Sequence, residues 1–484
     1  MQGKKNYQEK LFVTFQLSDY VPEDNFYRKL KDLLDLGFLY KSTAECYGLE
    51  GQKSIDPVVF MKLMLVGYLE NITSDRKIIA TSRLRLDILY FLGYDIDEEL
   101  PWHSTLSRTR QLYGEHIFTQ LFKVVLKQCI DRGMISGKRQ AIDGFFVKAN
   151  ASLDSLVEKE ILDDADLYST ELRSNEEEIP ATIKKLQPAS KEPDSELKPK
   201  KNPGNDTHYS PSDPDARMSV KPGKATALNY LGQVSVDTSS HMITHIQAFT
   251  ADKRDCECLS AMLIRTKNNL LENELQLQEI IADKGYSSAA ALKALEASGI
   301  TGYIPNRGQF NYERKNFTYH QEGDYYQCIY GIKVNYTGTY LTAGYWMKQY
   351  CTTGKNCSGC PLRDDCFAYK AKQKRVIIKE TLEKPYYDRM HIRMETRKAK
   401  IMMKLRQSTV EPVIGTLVNY LGIKKVNSKG LSQANKYLTL AAVAYNLKKM
   451  LKHTSGRIKN AVNKGFRATG MPLYPKTSIY FVSY

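Results

Sequence analysis

Acidic residues are scarce in the last quarter of this chain. Residues 371–484 hold 5 of its 54 Asp and Glu but 24 of its 70 Lys and Arg, a local balance of +19 against +16 for the whole. Everything before residue 371 is therefore slightly acidic, and the positive field is local. Such a field suits the gripping of phosphates better than general solubility, although a charge run of this kind also describes a solvated Lys-rich helical face. Long apolar runs are missing too: a stretch such as Leu438–Tyr445 is far shorter than the ~20 residues of a membrane span, so no membrane partner is expected. Met1–Lys10 carries charge with no apolar segment behind it, so no secretory signal is expected. A disulfide framework is disfavoured as well. The nine cysteines are odd in number, with four of them clustered, which points to a reducing compartment and to metal-bound or free thiols. A cytoplasmic location follows as the expectation.

What is present is an ordinary globular composition, 42% hydrophobic and 26% charged, over 484 residues. At ~100–200 residues per domain that length predicts two to four domains. Residues 17 to about 136 read as helical. Asp56 is an N-cap with Pro57 at the first helical position, ahead of Val58, Val59, Phe60, Leu63 and Met64. A second start at His103–Thr105 precedes Leu106, Leu112, Ile117, Leu121, Val124 and Leu126, a 3.6-residue period that predicts one long helix. Arg83, Arg85, Arg108 and Arg110 lie around these helices. They fit a helical DNA-binding module, with Arg108 and Arg110 as candidate DNA contacts, and a purely structural bundle equally well.

Residues 141–149 read as a strand with a turn or bulge at Asp143-Gly144. From about 153 to 212 the composition turns acidic and then rich in Lys, Pro and Ser, which predicts a flexible insertion. Alternating apolar positions at 227–237 and 242–249 predict a hairpin. A helix over 254–275, a strand over 278–282, a helix over 287–298 and a short strand over 302–305 then imply an α/β sheet with some parallel pairing. Tyr-rich strands and the cysteine cluster interrupt it at 306–370, and helices follow at about 386–409, 412–421 and 431–453. The domains expected are a helical DNA-binding domain at 1–136, an α/β domain at 137–455 with insertions at 153–212 and 306–370, and a tail at 456–484.

Three carboxylates carry the candidate chemistry. Asp143 and Asp283 sit where strands break or end, the usual place for sites in α/β sheets. Glu411 is stranded in the basic region beside Pro412, which is expected to break its helix. Two hard divalent ions ~3.5–4 Å apart need oxygen ligands of this kind, so that one activates an attacking oxygen and the other a leaving oxygen of a phosphodiester. Each residue alone also has a plain alternative: an Asp-Gly turn, a helix N-cap, and an ion pair between Glu411 and Arg406. Arg406 is five residues before Glu411, about 140° around an unbroken helix, and is expected at the site only if the helix breaks.

In order along the chain, Ala141–Ser152, Ile281–Ser288 and Arg406–Gly415 resemble the three acidic motifs of bacterial insertion-sequence transposases with a D-D-E, ribonuclease H-like catalytic domain. Asp213–Arg217 is similar to the stretch before that family's second strand, Leu431–Lys449 to its closing helix, and residues 17–135 to its helical N-terminal domain. The resemblance implies a ribonuclease H-like mixed sheet flanked by helices, a helical N-terminal domain and a small cysteine-containing insertion. It implies that Asp143, Asp283 and Glu411 hold two Mg2+ or Mn2+ ions for hydrolysis and strand transfer at transposon ends. The partners implied are double-stranded DNA, as terminal inverted repeats and target, and a second copy of the chain in a homodimer associated with the bacterial nucleoid. Arg406, Lys424 and Lys425 are candidate DNA contacts. The pattern departs from the family at Leu417 and Val418, where a lysine belongs, and at Met402 or Met403 in place of a tyrosine; Lys424 or Lys425 is the candidate substitute cation. A catalytically inactive, transposase-derived DNA-binding protein is the alternative that the missing lysine supports.

Cys351, Cys357, Cys360 and Cys366 have x5-x2-x5 spacing, and the central Cys-x2-Cys lets two thiolates reach one tetrahedral Zn2+. A structural zinc site and reduced free thiols are the two readings. His241 and His245 share a strand face with no third ligand evident, so a structural role is expected; Asp237, Asp252 and Asp255 are spare carboxylates, and Asp237 is the reserve metal ligand should Asp143 be structural.

Overall fold

The computed structural model describes residues 14–48, 54–159, 204–220, 225–307, 312–342, 345–357 and 359–468, besides the single positions 2, 5 and 50. Most of the expected flexible insertion (160–203) and the tail beyond 468 lie outside the described residues. The chain divides into two compact units, one of residues 1–134, 147–230 and 415–484 and the other of 135–146 and 231–414.

The first unit is mainly helical. Helix α1 (Pro57–Leu69) starts as its sequence predicts: the Asp56 carboxylate accepts the N–H groups of Val58 and Val59 at 2.7 and 3.1 Å, and Pro57 is at the first position. The long helix expected from His103 is instead two, α2 (His103–Leu112) and α3 (Glu115–Asp131). Its apolar period continues across the break, but Tyr113 and Gly114 turn extended (ψ 128° and 156°), and buried Tyr113 hydrogen-bonds through its hydroxyl to Tyr47. A tertiary partner has overridden helical period there. Ile117, Leu121 and Val125 of α3 are fully buried, and α3 packs on α8 (Leu431–Ala468), whose Leu438–Tyr445 stretch is buried throughout. Each large apolar side chain so buried contributes about 1.5–3 kcal/mol, so this helix pair is the core of the unit.

The second unit is built on a mixed sheet. Its strands are β1 (Arg139–Lys148), β2 (Ala227–Asp237), β3 (Ile243–Thr250), β4 (Glu279–Ile281) and β5 (Thr301–Tyr303), in the order β3-β2-β1-β4-β5; β1 and β2 each run on into the first unit, where Arg217–Ser219 pairs with the start of β2. The β2–β3 hairpin falls where the alternation predicts. β1 and β2 are antiparallel, since Arg139 accepts from the N–H of Thr238 and Leu228 from that of Ala149. β1 pairs parallel with β4, and β4 with β5. The parallel steps are bridged by helices α4 (Asp255–Leu271) and α5 (Ala289–Ala297). Strands ordered 3-2-1-4-5, with an antiparallel first half and a parallel second half, make this a ribonuclease H-like α/β fold.

A second sheet interrupts it, with strands β6 (Phe317–His320), β7 (Tyr325–Cys328), β8 (Lys333–Thr342), β9 (Tyr345–Cys351), β10 (Tyr369–Lys370) and β11 (Arg375–Thr381) in the order β10-β11-β9-β8-β7-β6, every pair antiparallel. It has a small core of its own around Phe317, Tyr326, Tyr350 and Ile378. Helices α6 (Lys384–Glu395) and α7 (Arg397–Tyr420) follow. They part at Thr396, which is extended at ψ 150° and whose hydroxyl accepts the Ala399 N–H at 3.1 Å, a cap for α7. Two expected breaks are absent. β1 is continuous through Asp143-Gly144, because its pairing with β2 from Arg139 to Ala149 holds the strand extended, and α7 runs on through Pro412.

Candidate active site

The pairing of β1 with β4 brings two of the three carboxylates together. Ala141 is opposite Ile281 in the parallel ladder, and two residues further along each chain are Asp143 and Asp283, near enough for the charge of Asp283 to act on Asp143. Asp283 lies just beyond β4, where its carboxylate accepts the Gly285 N–H at 2.8 Å and caps a short 3-10 turn, Lys284–Tyr286. Asp143 is mostly buried, with its carboxylate accepting the Gly144 N–H at 2.9 Å. Burial pushes its carboxyl pKa up, and the negative charge of Asp283 adds to the rise, against the opposing pull of Arg406. A carboxylate in this position calls for a cation.

Helix α7 carries the third carboxylate. Ala399 and Met402 pack on Ile281 of β4 and Tyr303 of β5, while Lys398 and Arg139 both pair with Glu279, each at 2.5 Å. Met402, at one of the two positions where the family pattern has a tyrosine, is therefore an anchor between helix and sheet. Arg406 is one turn beyond it, with its side chain 11% exposed. Its guanidinium donates to Asp143 at 2.8 Å and reaches Glu411 at 3.6 Å. Arg406 thus joins Asp143 and Glu411 although the helix does not break; the reach of its side chain makes up for the angle between the two positions. Glu411 is 57% exposed.

One of the spare carboxylates noted in the sequence backs this cluster. Asp255 opens α4, and its Oδ1 accepts from Gln233 Nε2 at 2.7 Å; Gln233 in turn accepts from the hydroxyl of fully buried Tyr286. A Cβ on Gly144 would come within 2.5 Å of Asp255 Oδ1, and one on Gly285 within 2.9 Å of Asp283 Oδ1 and 3.1 Å of Asp255 Oδ2. Asp255 therefore lies against both acidic segments, and the glycines that follow Asp143 and Asp283 make room for it. Those two glycines were the signal in the sequence. Asp237, the reserve ligand, is committed elsewhere: fully buried, it accepts from Gly137 N–H at 2.8 Å, Gln140 Nε2 and Ser239 N–H, both at 2.9 Å, and so holds the β2–β3 turn.

The other candidates are dispersed. Lys424 and Lys425 belong to the first unit, where Lys425 bridges to Lys148. Leu417, in the same unit, is fully buried. Arg108 is exposed, but Arg110 is buried and ion-paired with Asp75 at 2.6 Å, which makes it a structural cation of the helical unit. Cys357, Cys360 and Cys366 line one small cavity together with Cys328, whereas Cys351 accepts hydrogen bonds from Thr337 and Gln349 and is not among the described residues lining it. Among the described residues, no three His, Cys, Asp or Glu side chains converge closely enough to hold an ion as they stand. The donor set of Asp143, Asp283 and Glu411 nonetheless fits a hard divalent cation: all are oxygen donors, two lie side by side, and the exposed third is on a rigid helix.

Fold and cluster together define a ribonuclease H-like protein with one aspartate within its central strand β1 and another just past the end of the neighbouring β4. Residues 15–112 match the family described as "Transposase domain (DUF772)", and residues 327–451, which include Arg406 and Glu411, match "Transposase DDE domain". These two matches put the chain among the transposases of the D-D-E type. No curated protein matches it. Among solved structures, it resembles a piggyBac transposase synaptic complex with hairpin DNA at 9% identity, over 89% of this chain and 76% of that one, with a TM-score of 0.34. It also resembles the Mos1 transposase paired-end complex with left transposon end at 10% identity, over 53% and 60% of the two chains, with a TM-score of 0.16. The fold assignment rests on the strand order rather than on these overlaps. No helix among the described residues is long and apolar enough to cross a membrane.

Proposed function

We propose that this transposase binds the ends of a DNA element and catalyses divalent-metal-dependent phosphodiester hydrolysis followed by strand transfer. The observation that carries the reading is the proximity of Asp143, on β1, to Asp283, just past the end of the parallel neighbour β4, with Arg406 of α7 linking Asp143 to Glu411. Asp143, Asp283 and Glu411 would hold Mg2+ or Mn2+, and the bound cation supplies nucleophile activation and stabilisation of charge on the phosphorus oxygens. The chain's own part is to fix the geometry. The β1–β4 ladder sets the two aspartates, Asp255 backs them, and Arg406 neutralises Asp143 until a cation replaces it, after which the guanidinium is free to bind a DNA phosphate. Water attacks the scissile phosphodiester and releases a 3′-hydroxyl, which then attacks a phosphodiester of target DNA; one ester is exchanged for another, with no covalent enzyme intermediate. Lys424, Lys425 and exposed Arg108 are the proposed backbone contacts, and a homodimer on paired inverted repeats is the proposed assembly.

The test is cleavage of DNA carrying the element's terminal repeats, in Mg2+ or Mn2+, by the full chain and by Asp143→Asn and Glu411→Gln. We expect each variant to lose at least about 100-fold in rate while keeping end binding. Unchanged cleavage in either variant would sink the assignment. Tight end binding by the unaltered chain with no cleavage in any divalent metal would establish the inactive, DNA-binding alternative.

A further inference from the structure

The inserted sheet holds a second candidate site, distinct from the acidic cluster. Four thiols, those of Cys328, Cys357, Cys360 and Cys366, line a cavity of about 40 Å3. This volume is ample for a metal ion. All four are free cysteines, so no disulfide occupies them. Cys357 is buried in the small core of this sheet, and Cys328 and Cys366 pack against that core. The cysteines come from two tight-turn segments. Cys328 ends β7, and its carbonyl accepts the Gly331 N–H at 2.8 Å, with Gly331 at φ +78°. The other three punctuate a run of successive turns, in which Cys360 N–H donates to Cys357 O at 3.5 Å, Arg363 N–H to Cys360 O at 3.1 Å, and Cys366 N–H to Arg363 O at 3.4 Å.

We infer that these four cysteines form a structural zinc site, with Cys328 rather than Cys351 as the fourth ligand. Cys357 and Cys360 have the Cys-x2-Cys spacing by which two thiolates grip one tetrahedral Zn2+. The described residues of 352–368 contain no regular element beyond the 3-10 turn Gly354–Cys357. A segment of that length needs an anchor, and the cysteines are most of what it offers. Cys351 is in β9, where Thr337 and Gln349 donate to its sulfur at 3.7 and 3.4 Å. On binding, each thiol gives up its proton to solvent as its sulfur bonds to zinc, and the turns at 357–366 draw in around the ion, coupling metal binding to local folding. Four thiolates close the coordination sphere, so the site stabilises structure and does no chemistry.

The test uses the full chain, reconstituted with Zn2+ or Co2+ under reducing conditions. We expect about one metal per chain by elemental analysis and, with Co2+, the visible absorption of a tetrahedral tetrathiolate complex, both retained in Cys351→Ser and lost in Cys328→Ser. Because misfolding of Cys328→Ser would also abolish binding, thiol alkylation of the unaltered protein gives a second reading. Cys328, Cys360 and Cys366 should be shielded when metal is bound and labelled once a chelator is added, while Cys46 reacts in both states. Absence of metal from the reconstituted protein, loss of metal from Cys351→Ser with retention in Cys328→Ser, or labelling of Cys328 that the chelator leaves unchanged would each overturn the inference.

Discussion

Arg406 shows how one residue can hold a cluster that its neighbours would otherwise push apart. Asp143 is raised by burial and by Asp283, and the guanidinium at 2.8 Å is the compensating charge. Neutral burial is the second residue-scale theme. His245, on β3, has its pKa pushed down to about 4, chiefly by desolvation, with Arg265 adding to the depression and a hydrogen bond to Gln247 opposing it. The unfolded chain takes up a proton near pH 6.5, whereas the folded chain resists it until about pH 4. Stability from this residue is therefore complete above about pH 6.5 and falls as pH drops towards 4, by about 1–3 kcal/mol. Urea unfolding between pH 7 and 4.5 should show that slope in the natural sequence and a shallower one in His245→Gln. Equal slopes would mean that the imidazole stays solvated.

At the scale of elements, α7 is the part whose shape is hardest to foresee. Pro412 removes one backbone donor and crowds the Ser408 carbonyl, so a break is the natural expectation; the helix nonetheless continues from Arg397 to Tyr420. Packing of Ala399 and Met402 on the sheet and burial of Val410, Val413 and Leu417 outweigh the local cost. Pro412→Ala should then restore the missing hydrogen bond and stabilise the protein by about 1–3 kcal/mol, a rise of roughly 1–3 °C in thermal unfolding. A lower Tm would show that the chain needs a bend at this position. The same competition, with the opposite outcome, divides α2 from α3, where burial of Tyr113 ends a helix that apolar period alone would continue.

For the whole molecule, the charge asymmetry is the property with the clearest consequence. The +19 of residues 371–484 is suited to the activity proposed, and binding that neutralises phosphates must weaken as salt competes. The affinity for end-containing DNA should fall by about tenfold or more between 0.1 and 0.3 M salt. Lys424→Gln with Lys425→Gln should reduce the slope of log K against log salt by about 1 for each phosphate no longer neutralised. A slope unchanged in the double variant, measured by fluorescence anisotropy, would remove these lysines from the interface.

The sequence by itself determined the elements and the order of the motifs. The Asp56-Pro57 start, the β2–β3 hairpin, the strand–helix alternation after it and the three acidic segments are all local patterns, fixed by backbone sterics and side-chain period within a few residues. The tertiary structure alone decided which side chains meet. Arg406 and Asp143 are 263 residues apart, and Arg110 and Asp75 are 35 apart. Asp255 lies beside Gly144 and Gly285 only because α4 returns to the sheet, and Cys328 rather than Cys351 joins the other thiols because β7 ends at their cavity. Such pairings depend on strand register and helix packing, which integrate contributions from the whole chain and leave no mark on the spacing of the residues they join.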